Sequence, residues 1–309
     1  MAFEIRRAAE RDVPGIATVV VDTWRSTFAG LLPSEYLDDL SHAHQERRHQ
    51  RMFGRSDVIY HVALDNEAVV GFASGGVSRH DRFSQANELY AIYVLPTAQR
   101  RNIGSILFRR VVTDLQQFDR QGLVTMALAL NPYRHFYSNL GGREEDGGTL
   151  ALGSVAVEQI AYTWTDTSEL TLRVIPVASS EHWSAYHEIR RSVLFEARGL
   201  DGYDSDHLDD RRSGHFPLLL LKGTSIVGAA RLDLKEGDQA VVRTVAIRTD
   251  FQRQGLGREL MSGVESFAKD RGVLSLTVNA ARDAVEFYRR SGWLMVDETK
   301  PEPVLAKRL

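Results

Sequence analysis

With 309 residues, 43% of them hydrophobic and 26% charged, the chain is about twice an ordinary domain and long enough to bury two cores without cross-links. It contains no cysteine, which excludes disulfides, thiolate metal sites and a cysteine-borne acyl intermediate. The formal net charge is −3, with 17 basic against 20 acidic residues through Asp166 and 21 of each beyond it. Neither half therefore has the basic excess that nucleic-acid binding leaves. Met1 to Glu10 has no apolar leader core, and no apolar run approaches ~20 residues, so the expectation is a cytoplasmic protein with no membrane segment.

In chain order, Phe3–Arg7 reads as a strand. Val13, Ile16, Ala17, Val20, Trp24 and Phe28 then recur at helical spacing. A second helical region starts at Pro33 and runs through the basic stretch Arg47–Arg51. Val58–Leu64 and Ala68–Val77 form a predicted hairpin turned at Asn66, and Leu89–Leu95 a further strand. Ile103, Ile106, Leu107, Val111, Leu115 and Phe118 mark one face of a helix. A buried strand (Leu123–Leu130), a short helix (Tyr133–Asn139) and a late strand (Val155–Trp164) complete the first half.

The second half repeats the order. It has a strand at Leu172–Pro176, a helix near His182–Glu196, a hairpin from Phe216 to Leu234 and a strand at Ala240–Arg248. A helix at Leu256–Arg271, a strand at Leu274–Val278 and a short helix at Ala284–Arg290 follow. Thr165–Leu170, rich in Thr, Ser and Asp, is the linker candidate, giving expected domains of 1–166 and 170–309. Hairpins mixed with strand–helix–strand units predict an α/β (α+β) fold, each domain a mixed, largely antiparallel sheet flanked by helices.

Between the fourth strand and the long helix of each half lies a polar, glycine-bearing loop. The second is Gln252-Arg253-Gln254-Gly255-Leu256-Gly257, followed by Arg258; the first is Gln99-Arg100-Arg101-Asn102-Ile103-Gly104, followed by Ser105. Glycine, or asparagine in its place, permits a left-handed backbone, and the helix start presents unpaired N–H groups that suit a diphosphate. The alternative for one such loop alone is an ordinary strand-to-helix turn. A dinucleotide fingerprint would instead follow a domain's first strand.

About thirty residues further on, each half has an asparagine and an aromatic pair: Asn131 with Phe136-Tyr137, and Asn279 with Phe287-Tyr288. With these motifs the sequence resembles the GNAT superfamily of N-acetyltransferases, twice over and across nearly the whole chain. Asn102, where that family usually has glycine, is the one departure in the loops. The resemblance implies acetyl-CoA as co-substrate, no metal, and direct acetyl transfer to a primary amine of unidentified acceptor. It implies that both loops bind the cofactor, together with Ile92, Val94, Val245 and Ile247 on the strands before them, and that Asn131 and Asn279 contact its pantetheine arm. It also implies that Tyr137 and Tyr288 lie beside the thioester sulfur and protonate the departing thiolate. Packing alone would account for the same aromatics, and helix capping for the asparagines. Homodimers occur in the family, and neither nucleic acid nor membrane is an implied partner.

The halves differ where an amine must lose its proton. Glu88, in Glu88-Leu-Tyr-Ala-Ile-Tyr-Val94, is the candidate base of the first half, the alternative being a solvated strand-end acid. The corresponding residue of the second half is Val241, and Tyr90 corresponds to Arg243. Glu196 is the first candidate for a base elsewhere in that half. A binding role without catalysis for one domain, the C-terminal rather than the N-terminal, is therefore the rival reading. Trp24 and Phe28 are core residues of their helix or line the acceptor site. His42, His44 and His49 lack the register of a helical metal pair and read as surface residues.

Overall fold

The computed structural model describes residues 3–153 and 155–309, and the chain divides into two compact units, Phe3–Thr171 and Leu172 to the end. In the first, β1 (Glu4–Arg7) precedes α1 (Val13–Thr27), α2 (Ser34–Asp38) and α3 (His42–Met52). Next come β2 (Val58–Asp65), β3 (Ala68–Val77), β4 (Asn87–Val94), α4 (Ile103–Leu115), β5 (Leu123–Leu128) and α5 (His135–Asn139), closed by β6 (Arg143–Leu152) and β7 (Val155–Trp164). The sheet order is β1-β2-β3-β4-β5-β7-β6, and only β4 and β5 run parallel.

Local chemistry accounts for most of these elements. Asn66 and Glu67, both at positive φ (49° and 67°), turn the β2–β3 hairpin with the twist that a two-residue loop requires. The second helical region is two helices, because Ser41 accepts the His44 N–H and starts α3 afresh. The Ile103–Leu115 stripe packs one face of the sheet in a core containing Leu107, Phe108 and Val111, while α1 covers Val62 and Phe72 on strands β2 and β3. α1 buries Val19 and Val21 besides the expected stripe, since it packs on both β3 and α3.

The second unit has the same plan. β8 (Leu172–Pro176), α6 (Ser180–Arg190), β9 (His215–Lys222), β10 (Ser225–Leu234) and β11 (Gln239–Ile247) lead to α7 (Leu256–Lys269). β12 (Ser275–Asn279), α8 (Val285–Arg289), β13 (Leu294–Asp297) and β14 (Val304–Arg308) complete the order β13-β14-β12-β11-β10-β9-β8. The helix expected through Glu196 is regular only to Arg190, and a wider π turn spans Arg191–Phe195.

One feature recurs in both sheets. β4 pairs with β5 only at Asn87–Leu123 and Glu88–Val124, although the strands run on to Val94 and Leu128. β11 likewise leaves β12 after Val242–Val278. Each sheet therefore opens at its one parallel junction.

α7 keeps a glycine in mid-helix, where glycine costs ~1 kcal/mol relative to alanine. The reason is proximity: a Cβ at Gly263 would fall inside contact with Val174 of β8. Gly263→Val should therefore push α7 off β8 and lower the stability of this domain by ~1–3 kcal/mol, as overpacking generally does. Urea denaturation of the variant checks this, and an unchanged midpoint would mean that α7 has room to move.

Candidate active site

The two loops close on themselves in the same way. Gln99 Nε2 donates to Val94 O at 3.0 Å, and Gln252 Nε2 donates to Ile247 O at 3.0 Å. The glutamines thus fold the loop back onto the end of its own strand. Arg100 and Arg253 have φ of 60° and 61°, and two residues later Asn102 and Gly255 have 62° and 83°. Alternating left-handed residues turn successive amides to one side, an anion-binding concavity. The helices begin at Ile103 and Leu256, so the N–H groups of their first turns, Gly104 and Ser105 among them, lack an intrahelical acceptor. Arg101 differs from the expectation: its guanidinium is held by Asp65 at 2.8 Å, and it is absent from the cavity wall. Gln254 is likewise turned back, onto Asp250 O at 3.2 Å. Arg258 lies in the first turn of α7, Val245 late in β11, and Asn279 at the exposed end of β12.

In the first unit the splayed junction opens into a cavity of about 1060 Å³. Its wall brings together Glu88, Ile92 and Val94 from β4 with Gln99, Arg100, Asn102, Ile103, Gly104 and Ser105 from the loop and α4. Asn131 and Tyr137 join them from the far side. Asn131 Oδ1 also accepts the Tyr133 N–H at 2.9 Å, so it shapes the turn before α5 as well. α1 and α2 contribute Trp24, Phe28 and Tyr36; Trp24 Nε1 donates to Tyr93 OH at 3.0 Å, and Phe28 is also a core residue.

Tyr137 is held by packing. Phe136, its neighbour on α5, lies 3.5 Å from where a Cβ of Gly104 would stand, which ties α5 to the start of α4. Burial raises the Tyr137 phenol well above its ordinary value, and nearby Tyr93 pushes the same way. It is therefore protonated at neutral pH. Tyr288 is also buried, 5.5 Å from the Trp293 ring, and burial raises it too.

Glu88 is not a solvated strand-end acid; it is 1% exposed. Oε2 accepts the Arg79 backbone N–H at 2.8 Å and Arg79 Nε at 3.2 Å, and Oε1 accepts Arg79 Nη2 at 2.5 Å. His80 Nε2 lies 3.5 Å from Oε1, and the half-exposed ring lines the cavity. The Arg79 guanidinium also stacks 4.0 Å over the Tyr90 ring, whose phenol burial pushes up to about 12.

Residues 21–141 match the model of the "Acetyltransferase (GNAT) family", and residues 205–303 that of an "Acetyltransferase (GNAT) domain". The uncharacterized N-acetyltransferase YuaI of Bacillus subtilis (strain 168) is 30% identical over 167 residues, 54% of this chain and 95% of that protein. The chain belongs to the GNAT acetyltransferase family. A second relative, the uncharacterized ycf52-like N-acetyltransferase of Prochlorococcus marinus, is 37% identical over 70 residues, 23% of this chain and 39% of that protein. Among solved structures, the PaiA N-acetyltransferase of Thermoplasma acidophilum in complex with coenzyme A is 19% identical, with a TM-score of 0.44, covering 53% of this chain and 100% of that one.

The two GNAT domains part company around the acid. Across β3 and β4, Glu88 faces Gly76; across β10 and β11, Val241 faces Asp233. The second domain thus carries its buried acid one strand over, and that acid is fully engaged. Asp233 accepts from Arg231 at 2.7 Å and Arg243 at 2.9 Å, while Asp210 binds Arg231 at 2.6 Å and Arg190 at 2.5 Å. Although burial opposes it, the bonds from Arg190 and Arg231 hold the Asp210 carboxyl below the ordinary carboxylate range. Glu196 is exposed, 3.5 Å from Arg191 Nε.

Sequence reasoning missed Arg79 and His80. The available signal was two basic residues just past the end of β3, which the β3–β4 hairpin returns to the start of β4. It also misplaced His49, which is 7% exposed and bonded through Nδ1 to Tyr60 OH at 3.0 Å. Burial, with the charge of Arg48, pushes this imidazole down to about 4. Its folded value thus lies below the ordinary 6.5, and as pH falls the unfolded chain takes up this proton first. Stability should therefore be lost between about pH 6.5 and pH 4, and His49→Gln should flatten that part of the profile. Urea midpoints of both proteins from pH 7 to pH 4 check it; parallel profiles would contradict a neutral buried His49.

Proposed function

We propose that this protein transfers the acetyl group of acetyl-CoA directly to a primary amine, with the chemistry in the domain expected at 1–166. The observation that carries this reading is the single cavity that runs from the anion-binding loop, through the splayed strands, to Tyr137 and the Glu88–His80 wall. The residues fit the co-substrate: the loop amides of Asn102 to Ser105 suit its diphosphate, and the open edges of β4 and β5 suit the amide-bearing pantetheine arm. Acetyl-CoA supplies a thioester whose C–S bond breaks as the new C–N bond forms.

The chain's own groups manage two protons. His80 takes the proton of the attacking amine, with Glu88 fixing the ring and balancing the charge that forms, much as a buried carboxylate serves a histidine base. Tyr137 hydrogen-bonds the departing thiolate. A thiol of pKa near 8.5 is a stronger acid than a buried phenol, so Tyr137 shares its proton to stabilise developing charge. A loose thiolate would otherwise return to the carbonyl.

For the domain expected at 170–309 the observation favouring a second role is the locked acid. Asp233 and Asp210 are 2% exposed and shared among three arginines, which leaves neither available as a base. We propose that this domain binds acetyl-CoA without acetylating.

Two measurements follow. In steady-state turnover with one accepted amine, Tyr137→Phe should lose ~10²–10⁴-fold in rate with acetyl-CoA affinity nearly kept, and Glu88→Gln should lose rate most steeply at low pH. Tyr288→Phe should change little; loss of activity in that variant alone would move the chemistry to the second domain. In calorimetry of the full chain, coenzyme A should bind at two sites, the tighter one weakened by Gly255→Val, since a β-branched side chain at φ 83° adds ~1–3 kcal/mol of strain. A single site indifferent to that change would remove the second domain from cofactor binding.

A further inference from the structure

Arg48 on α3 lines the same cavity, together with His49, Tyr36 and Tyr93. Glu88 and Arg79 cancel each other, His49 is neutral, and Asp22 of α1 lies outside the wall, paired with His42 at 3.4 Å. Arg48 has no ion pair or hydrogen bond among the described residues. It shares the cavity lining with the aromatic wall of Trp24, Phe28, Tyr36 and Tyr93. That wall is apolar: the Trp24 ring lies 4.9 Å from Phe28 and 6.2 Å from Tyr36.

We propose that the acceptor is a small amine bearing a carboxylate on an apolar body, and that Arg48 binds the carboxylate. The inference rests on the acetyl-transfer reading above and adds the substrate class. A guanidinium beside low-dielectric aromatic walls attracts a carboxylate strongly and presents two parallel donors to it. The same charge disfavours a polyamine or a polybasic peptide, whose remaining ammonium groups would face it. The aromatic wall takes the apolar body, while the amine reaches toward His80 and Glu88.

The test compares matched acceptors on the full chain with acetyl-CoA: phenylalanine against phenethylamine, and leucine against isoamylamine. β- and ω-amino acids measure the span between amine and carboxylate, and spermidine serves as the polycationic control. The wild-type chain should prefer the carboxylate-bearing member of each pair by about ten- to hundredfold in kcat/KM, the value of a hydrogen-bonded charge pair. Arg48→Gln should collapse that ratio at least tenfold, mainly through KM, and Arg48→Lys should restore part of it. A wild-type preference for the decarboxylated amine or for spermidine would overturn the proposal, as would an equal loss for both members of a pair. If no amine is acetylated, the acetyl-transfer reading fails by itself. Calorimetric binding of phenylalanine to the coenzyme A complex then decides the role of Arg48: loss of that binding in Arg48→Gln supports it, and unchanged or undetectable binding overturns it.

Discussion

The site depends on two strands that stop pairing. After Glu88 and Val124, β4 and β5 diverge, and the backbone groups along their facing edges lose the partners a continuous sheet would give them. Buried backbone donors and acceptors left without partners are costly, so such a junction persists only where solvent or a ligand satisfies it. Everything that the cavity needs is arranged around that opening. The loop after β4 brings its amides to the cavity, the early helices supply part of its wall, and α5 adds Tyr137. The divergence also forces the connection through α4 to start beside the gap, so the unsatisfied N–H groups of that helix fall where a phosphate can use them.

The two domains share this plan and differ in how they treat buried charge. In the first, one acid and one arginine pair off at the cavity wall, with a histidine at the edge of the pair and open to the space. In the second, two buried acids are shared among three arginines. Removing one member of such a network strands the others in low dielectric, at a cost of ~3–5 kcal/mol, whereas the intact network adds little net stability. That asymmetry makes the network costly to alter by single substitutions.

The alternation of apolar residues and the loop composition made most of both sheets legible in the sequence, because β2, β3, β5, β9 and β10 are buried enough to need apolar residues. β6, β13 and β14 were not legible. β6 reads Arg-Glu-Glu-Asp-Gly-Gly and lies at a sheet edge, where charge and a bulge protect against unwanted pairing and erase the period-2 signal. β13 is an edge strand too, with Leu294 74% and Val296 63% exposed. The left-handed loop positions were readable as residue types, since asparagine and glycine alone tolerate them well; Arg100 and Arg253 share the conformation with no such mark. Burial of ionisable groups was the least legible feature. Nothing in Arg-Arg-His49-Gln announces that its histidine turns inward to Tyr60, and nothing in Asn87-Glu88-Leu announces a carboxylate sealed by an arginine nine residues earlier.

That sealed carboxylate bears on how the cavity handles protons. A free glutamate at the wall would be shared between water and substrate. Clamped by three donors from Arg79, Glu88 keeps a fixed position and leaves only its Oε1 edge toward His80. The clamp fixes the carboxylate before any substrate arrives, as a preorganised site requires. Tyr137 follows the same logic from the opposite wall. Burial keeps its phenol protonated, and packing of Phe136 against the start of α4 holds it still. Both groups are thus held in place by their surroundings, beside the opening between β4 and β5.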